Sequence, residues 1–148
     1  MDVLQQIATE LIELLEKTEL MKEDPQSYLS LNDGLKKIKI TAVCATDDLL
    51  DMLGVRECYG VAPEVRLYSD EKGFHVGNEV YPSCISMRTP PTAIVGVDVG
   101  TSSTACAYII YSPVQLVVFE HEAKYYAVID HYDNVGHILF AVSLELKA

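Results

Sequence analysis

The spacing of hydrophobic positions indicates a helix at the start of the chain. Leu4, Ile7, Leu11 and Leu14 recur at intervals of three and four residues, which is the period of one helical face. This pattern predicts an amphipathic helix over residues 2–20. We expect the helix to pack on a sheet of its own chain. The alternative is a helix that pairs with a second copy across a homodimer.

Proline and glycine signals mark the next boundaries. Pro25 ends the helical segment, because proline cannot continue a helix. Residues 26–34 then read as a loop or short turn, and residues 37–43 as a strand in which lysines alternate with apolar residues. Thr46 is predicted to cap a short helix over residues 47–53.

From residue 63 onward the hydrophobic period becomes two, which is typical of strands. Residues 64–69 and 74–77 flank the sequence Asp-Glu-Lys-Gly at 70–73, which predicts a β-hairpin. Residues 80–87 predict a further strand, and Pro82 places it near a sheet edge or a bulge.

The remainder of the chain predicts five consecutive strands. They cover residues 93–99, 104–111, 114–121, 125–131 and 137–146. Their connections are too short for parallel crossovers, so an antiparallel meander is expected. The chain as a whole therefore predicts a single α+β domain over residues 1–148, in which an N-terminal amphipathic helix packs on a mainly antiparallel sheet that ends in a five-stranded meander.

Composition and charge narrow the classes of function. With 49% hydrophobic and 22% charged residues, the chain is typical of a soluble globular protein and not of a disordered one. The net charge of −11 argues against binding nucleic acid through its phosphates and against anionic membrane surfaces. It favours partners that are proteins, including those with a basic surface.

The four cysteines do not follow a metal-binding pattern. Cys44, Cys58, Cys84 and Cys106 form no paired Cys-x-x-Cys motif. The first residues read as an acidic amphipathic helix and not as a secretory signal. We therefore expect reduced thiols and a cytoplasmic location.

A glycine-rich segment at residues 94–104, Ile-Val-Gly-Val-Asp-Val-Gly-Thr-Ser-Ser-Thr, resembles the first phosphate loop of the sugar-kinase and actin superfamily. The resemblance implies a metal-organising role for Asp98 and a phosphate cradle formed by Gly100, Thr101, Ser102 and Ser103. It covers this segment alone, and no second phosphate loop follows. The other interpretation, which we favour, is a tight β-hairpin, because turns also prefer glycine and small hydroxyl residues.

Histidines and carboxylates suggest two clusters at opposite ends of the predicted meander. His121 and Glu122 are expected at the same end as Asp98, Ser102 and Ser103, where they would complete a ligand site. His131, Asp133 and His137 are expected at the other end, where two imidazoles and a carboxylate are suitable ligands for a transition metal. The alternative for both clusters is a set of solvated side chains in hairpin loops.

The chain contains nine tyrosines and no tryptophan, which favours an interaction surface. Those predicted on the meander are Tyr108, Tyr111, Tyr125, Tyr126 and Tyr132. The alternative is that they pack the core. The sequence therefore predicts a protein-binding module, such as a regulator, inhibitor or immunity-type factor, without catalysis or cofactor. The alternative is a small-molecule or nucleotide-phosphate binder, or an enzyme, that uses the loops at 98–104 and 120–124.

Overall fold

The computed structural model describes residues 2–17, 25–55, 66–90, 92–97, 106–111, 114–132 and 137–147. The helices in these ranges are α1 (Val3–Lys17), a 3-10 helix (Pro25–Gly34) and α2 (Thr46–Met52). The strands are β1 (Ile38–Ala45), β2 (Leu67–Asp70), β3 (Gly73–Val76), β4 (Glu79–Tyr81), β5 (Cys84–Arg88), β6 (Thr92–Val97), β7 (Cys106–Tyr111), β8 (Gln115–His121), β9 (Lys124–Tyr132) and β10 (His137–Leu146). Neither α-helix in these ranges is long and apolar enough to cross a membrane.

The predicted N-terminal helix is confirmed over Val3–Lys17, and residues 18–20 lie outside the described ranges. Asp2 caps its start, because the Asp2 carboxylate accepts the backbone N–H of Leu4 at 3.2 Å. The apolar stripe is buried against the strands of the same chain. The helix therefore packs on the sheet of its own chain.

The main sheet has five antiparallel strands in the order β1-β10-β9-β8-β5. This confirms the α+β class and the antiparallel sheet. The last three predicted strands are successive neighbours, as a meander requires. The two outer places belong to strands from earlier in the chain, β1 beside β10 and β5 beside β8.

The first two strands predicted for the meander form a separate hairpin. β6 pairs with β7 in register from Thr92 opposite Tyr111 to Val97 opposite Cys106. In the described part of the chain β8 pairs with β5 and β9, and not with β7. Period-two alternation identifies strands but not their neighbours, so it did not distinguish these two arrangements.

The loop or short turn predicted over residues 26–34 is a 3-10 helix over Pro25–Gly34, and two further differences concern Pro82 and Thr46. The strand predicted over residues 80–87 is divided at Pro82 into β4 and β5, which belong to different sheets. Proline has no N–H to donate to a ladder, which explains the interruption. Thr46 was predicted as an N-cap, but it is the first residue of α2, and the N-cap is Ala45, which makes no side-chain capping bond.

The hairpin turn predicted at residues 70–73 joins β2 to β3 in a three-stranded antiparallel sheet, β2-β3-β4. Gly73 has a φ of +136°, which favours glycine. A Cβ at this position would lie 2.4 Å from the carbonyl oxygen of Tyr81. The backbone of β3 can therefore lie close to the end of β4 only because residue 73 has no side chain.

Both faces of the main sheet are buried. On one face, α1 and the 3-10 helix cover a helix-side core that includes Leu11, Tyr28, Ile38, Leu116, Ile129 and Val142. On the other face, α2 and the small sheet cover a hairpin-side core that includes Leu49, Phe74, Val76, Phe119, Tyr126 and Ala141. Alternate residues of β8 and β9 enter opposite cores, as the strand period requires.

Candidate functional site

The turn between β8 and β9 contains the two described residues of the predicted ligand site, His121 and Glu122. His121 pairs with Lys124, so Glu122 and Ala123 form a two-residue hairpin turn. Their φ angles are +51° and +62°, which is the left-handed conformation that this turn type requires. Asparagine and glycine adopt it readily, whereas glutamate and alanine do so at a cost of about 1–2 kcal/mol per residue. Packing of the adjacent strands therefore holds the turn in a strained form.

His121 lies half-buried at the edge of an aromatic cluster. Its ring meets the ring of Tyr81 edge-on, with centroids 5.2 Å apart. Its Nε2 is 3.8 Å from the Glu122 carboxylate, which is largely exposed. An ion pair in this position contributes little to stability. The two groups therefore remain free to interact with a ligand.

A cluster of aromatic rings lies next to His121. Phe119 stacks on Tyr126 with centroids 5.5 Å apart and also contacts Tyr81. Burial raises the pKa of Tyr126, and the negative charge of Glu122 adds to the effect. The hairpin end therefore brings one imidazole, one carboxylate and two tyrosines together. Of these groups, the His121 imidazole and the Glu122 carboxylate are able to donate and accept hydrogen bonds to a polar ligand, whereas Tyr81 and Tyr126 are buried.

The predicted partners of this site lie outside the described residues. Asp98, Gly100, Thr101, Ser102 and Ser103 fall in the segment that joins β6 to β7. The strands that flank this segment, β6 and β7, pair antiparallel up to Val97 opposite Cys106. Only His121 and Glu122 of the predicted set are described with their surroundings.

The second predicted cluster lies at the other end of β9. His131 pairs with Ile138, and His137 pairs with Tyr132, so the backbones of the two histidines are close neighbours. Asp133 lies outside the described residues. His131 lies seven positions along β9 from Lys124, which is roughly 23 Å in a strand. The predicted separation of His121 from His131 and His137 is confirmed. No group of three potential metal ligands exists among the described residues.

The outward side of the small sheet forms a site that sequence reasoning missed. Tyr68, His75 and Val80 lie opposite one another on β2, β3 and β4. The rings of Tyr68 and His75 stack at 4.4 Å and are almost parallel, and the Arg66 guanidinium lies 4.8 Å from the centre of the Tyr68 ring. We call Arg66, Tyr68, His75 and Val80 the Tyr68 face.

A carboxylate fixes the middle of the Tyr68 face. His75 Nε2 donates to Asp70 Oδ1 at 2.7 Å, and the same oxygen accepts the backbone N–H of Lys72 at 2.9 Å. The hydrogen bond from His75 is the main reason that the pKa of Asp70 is lowered. His75 is 8% exposed, whereas Tyr68 and Val80 are 38% and 43% exposed. The sequence feature that could have indicated this face is the period-two alternation on either side of the 70–73 turn, which places Tyr68 and His75 on the same side of the sheet.

The two described tyrosines of the main sheet pack the cores. Tyr126 is buried in the hairpin-side core, and Tyr125 packs partly buried against the helix-side core. The side chains of Tyr108, Tyr111 and Tyr132 lie outside the described residues. For Tyr125 and Tyr126 the core-packing interpretation is therefore confirmed.

Comparison with known proteins gives no assignment. No family model matches the chain, and neither the curated proteins nor the solved structures include a significant match.

Proposed function

We propose that this protein is a non-catalytic protein-binding module that docks through the Tyr68 face. One observation carries the proposal. Tyr68 and Val80 are exposed hydrophobic side chains that lie on either side of His75 across the small sheet. Arg66 and Tyr68 are of the residue types that contribute most of the binding energy at protein interfaces.

The rigidity of the Tyr68 face supports this assignment. The Tyr68 ring is stacked on His75, and His75 is hydrogen-bonded to Asp70. The opposite side of β3 carries Phe74 and Val76, which are buried in the hairpin-side core. A tyrosine that is already held in place loses little side-chain entropy when a partner covers it, so more of the contact energy appears as affinity.

Charge supports a partner with a basic surface. The chain carries a net charge of −11, and the small sheet that carries the Tyr68 face has three exposed acidic residues, Asp70, Glu71 and Glu79, beside two exposed basic ones, Arg66 and Lys72. Such a field attracts cationic proteins and accelerates their association. This chemistry suits a regulator, an inhibitor or an immunity-type factor. The free thiols of Cys44 and Cys84 favour a cytoplasmic location as part of the same proposal.

The test combines crosslinking with measured affinity. A photoreactive amino acid is placed at position 68, and at exposed position 41 as a control. A partner that crosslinks only from position 68 is purified, and its affinity is measured by calorimetry. We expect Tyr68→Ala to weaken binding by about tenfold or more, as removal of a central interface tyrosine does.

Leu146 provides the matched control, because it is also an exposed hydrophobic residue but lies at the end of β10. We expect Leu146→Ala to leave the affinity unchanged. Equal losses of affinity in Tyr68→Ala and Leu146→Ala would contradict docking at the Tyr68 face. The same holds if the purified partners crosslink equally from positions 68 and 41.

A second candidate function rests on the strained turn at Glu122 and Ala123. Strained backbone conformations concentrate at ligand sites, and this turn carries His121 beside Tyr81. The proposal is a binder of a small molecule or nucleotide phosphate that uses the loops at 98–104 and 120–124. Native mass spectrometry of the purified protein separates the two functions. A stoichiometric bound nucleotide that is lost in Asp98→Asn favours this second candidate, whereas the apo mass alone counts against it.

A further inference from the structure

A groove runs between α1 and the segment that leads into β1. It has a volume of about 380 Å³ and is lined by Gln6, Thr9, Glu10, Glu13, Leu14, Lys17, Gly34, Lys36 and Lys37. This volume lies within the range of small-ligand sites, which is roughly 300–1,000 Å³. The groove lies on the face of the main sheet that α1 covers, and its lining residues belong neither to the Tyr68 face nor to the turn at Glu122.

Hydrogen bonds fix the wall of this groove. The Glu10 carboxylate accepts the backbone N–H groups of Lys36 and Lys37, the latter at 3.0 Å. On the other side of the segment, the Lys147 ammonium donates to the carbonyl oxygen of Leu35 at 2.5 Å, and the Lys147 N–H donates to the carbonyl oxygen of Lys37 at 2.9 Å. The backbone of residues 35–37 is therefore held from both sides, so the groove is formed before any ligand arrives.

The charges in the groove are unusual for this chain. Three lysines and two glutamates line it, a formal charge of +1, although the whole protein has only 11 basic residues and a net charge of −11. The carboxylate of Glu10 is already engaged by two backbone donors. No described residue forms an ion pair with the ammonium group of Lys17, Lys36 or Lys37. Within the described ranges, these three ammonium groups therefore carry positive charge that no carboxylate pairs with.

We propose that this groove is a binding site for a small anionic ligand that carries a carboxylate or phosphate group. Lys17, Lys36 and Lys37 supply the positive charge, and the amide of Gln6 and the hydroxyl of Thr9 supply further hydrogen-bonding groups along α1. Lysine ammonium groups bind either anion as point charges, so the same site accommodates both chemistries. This site is independent of the proposed docking function.

The test is a titration followed by amide resonances at constant ionic strength. Inorganic phosphate and succinate are added in separate experiments, and sodium chloride is lowered at each step to keep the ionic strength constant, because salt screens exposed charges. We expect saturable shifts of the amides of Thr9, Gly34, Lys36 and Lys37. The anion that binds more tightly identifies the preferred group. The amides of Tyr68 and His75 serve as internal references that do not move.

Lys39 offers a matched control for charge. It belongs to the same run of lysines in the sequence but does not line the groove. We expect the double variant Lys36→Gln/Lys37→Gln to weaken anion binding by about tenfold. Lys39→Gln should change the affinity by less than about twofold, because salt screens the interaction between exposed charges that lie far apart. Glu13→Gln is expected to strengthen binding, since it removes the second carboxylate from the groove, whereas Glu16→Gln is not.

Two results would overturn the proposal. One is the absence of saturable shifts at these amides with both anions. The other is an equal loss of affinity in the Lys36/Lys37 and Lys39 variants, because that result would mean a diffuse attraction to lysines and not a site. The backbone bonds of Lys36 and Lys37 do not depend on their side chains, so these variants are expected to fold.

Discussion

The side-chain amide of Asn32 makes two hydrogen bonds with the backbone of Ile40. Its Nδ2 donates to the Ile40 carbonyl at 3.0 Å, and its Oδ1 accepts the Ile40 N–H at 2.5 Å. Ile40 lies on β1, an edge strand of the main sheet. The carboxamide therefore occupies the place of a neighbouring strand. Immediately afterwards β1 has a bulge at Thr41, whose hydroxyl donates to the carbonyl oxygen of Ser143 at 3.0 Å.

Replacing Asn32 should destabilise the protein. Asn32→Ala leaves a partly buried donor and acceptor of Ile40 without partners, which costs about 1–3 kcal/mol. Asn32→Asp should also destabilise it, because a carboxylate cannot donate to the Ile40 carbonyl. Urea denaturation measures both free energies of unfolding. The exposed neighbour Asp33 is the control, and Asp33→Ala should change stability by less than about 0.5 kcal/mol. Equal effects at positions 32 and 33 would contradict the edge-capping role.

The hydroxyl of Tyr28 should be dispensable. Tyr28 is 2% exposed and packs against Phe140, with ring centroids 4.3 Å apart. No described residue lies within hydrogen-bonding distance of its hydroxyl, and burial raises the pKa of Tyr28 well above its usual value. Tyr28→Phe removes an unsatisfied polar group, so we expect it to raise the free energy of unfolding, by up to about 1 kcal/mol.

Tyr28→Leu is the companion variant, since it removes the ring as well as the hydroxyl. We expect it to destabilise the protein by about 1–3 kcal/mol through lost packing. If Tyr28→Phe proved destabilising instead, the hydroxyl would have a partner in solution.

The strain in the β8–β9 turn should be removable by sequence change. Glu122→Asn with Ala123→Gly introduces the residue pair that this turn type prefers. Because both positions have positive φ, the double variant should be more stable by about 1 kcal/mol or more. Thermal denaturation measures the gain. Glu122→Gln is the control for charge alone and should leave the melting temperature nearly unchanged. A loss of stability in the double variant would show that contacts of the Glu122 and Ala123 side chains outweigh the strain.

Acid should weaken the Tyr68 face through Asp70. The hydrogen bond from His75 lowers the pKa of Asp70 below its ordinary value of 3.8 in the folded protein. A group with a lowered pKa stabilises the fold at pH values above its unfolded pKa, and the contribution is lost as the pH falls through the lowered value. We therefore expect Asp70→Asn to reduce stability at pH 7, and the difference from the unchanged protein to shrink as the pH falls below 3.8 and through the lowered pKa of Asp70.

Urea midpoints measured in steps between pH 7 and acid would check this dependence. Glu71→Gln is the control, because Glu71 is an exposed neighbour on the same turn. A difference between the Asp70 variant and the unchanged protein that persisted unaltered into acid would mean that the charge of Asp70 does not contribute.

The sequence by itself determined the local secondary structure. The three-and-four spacing of leucine and isoleucine was sufficient to predict α1, because a helix needs only one apolar face to be buried. Gly73 was sufficient to predict the turn between β2 and β3, because the positive φ at this position favours glycine over other residues. Alternation similarly identified β8, β9 and β10, whose short connections allow only antiparallel neighbours. For the same local reason, the sequence placed His121 far from His131 and His137 correctly.

Only the tertiary structure decided which distant segments meet. β5 and β1, and not β6 and β7, complete the main sheet, since an apolar strand face fits any neighbour with a matching face. The stacking of Tyr68 on His75 and the contact of Glu10 with the segment at Lys36 join residues from different elements. The sequence specified their chemistry but not their proximity. Proximity depends on how whole elements pack, and that is decided by the sum of many weak, non-local contacts.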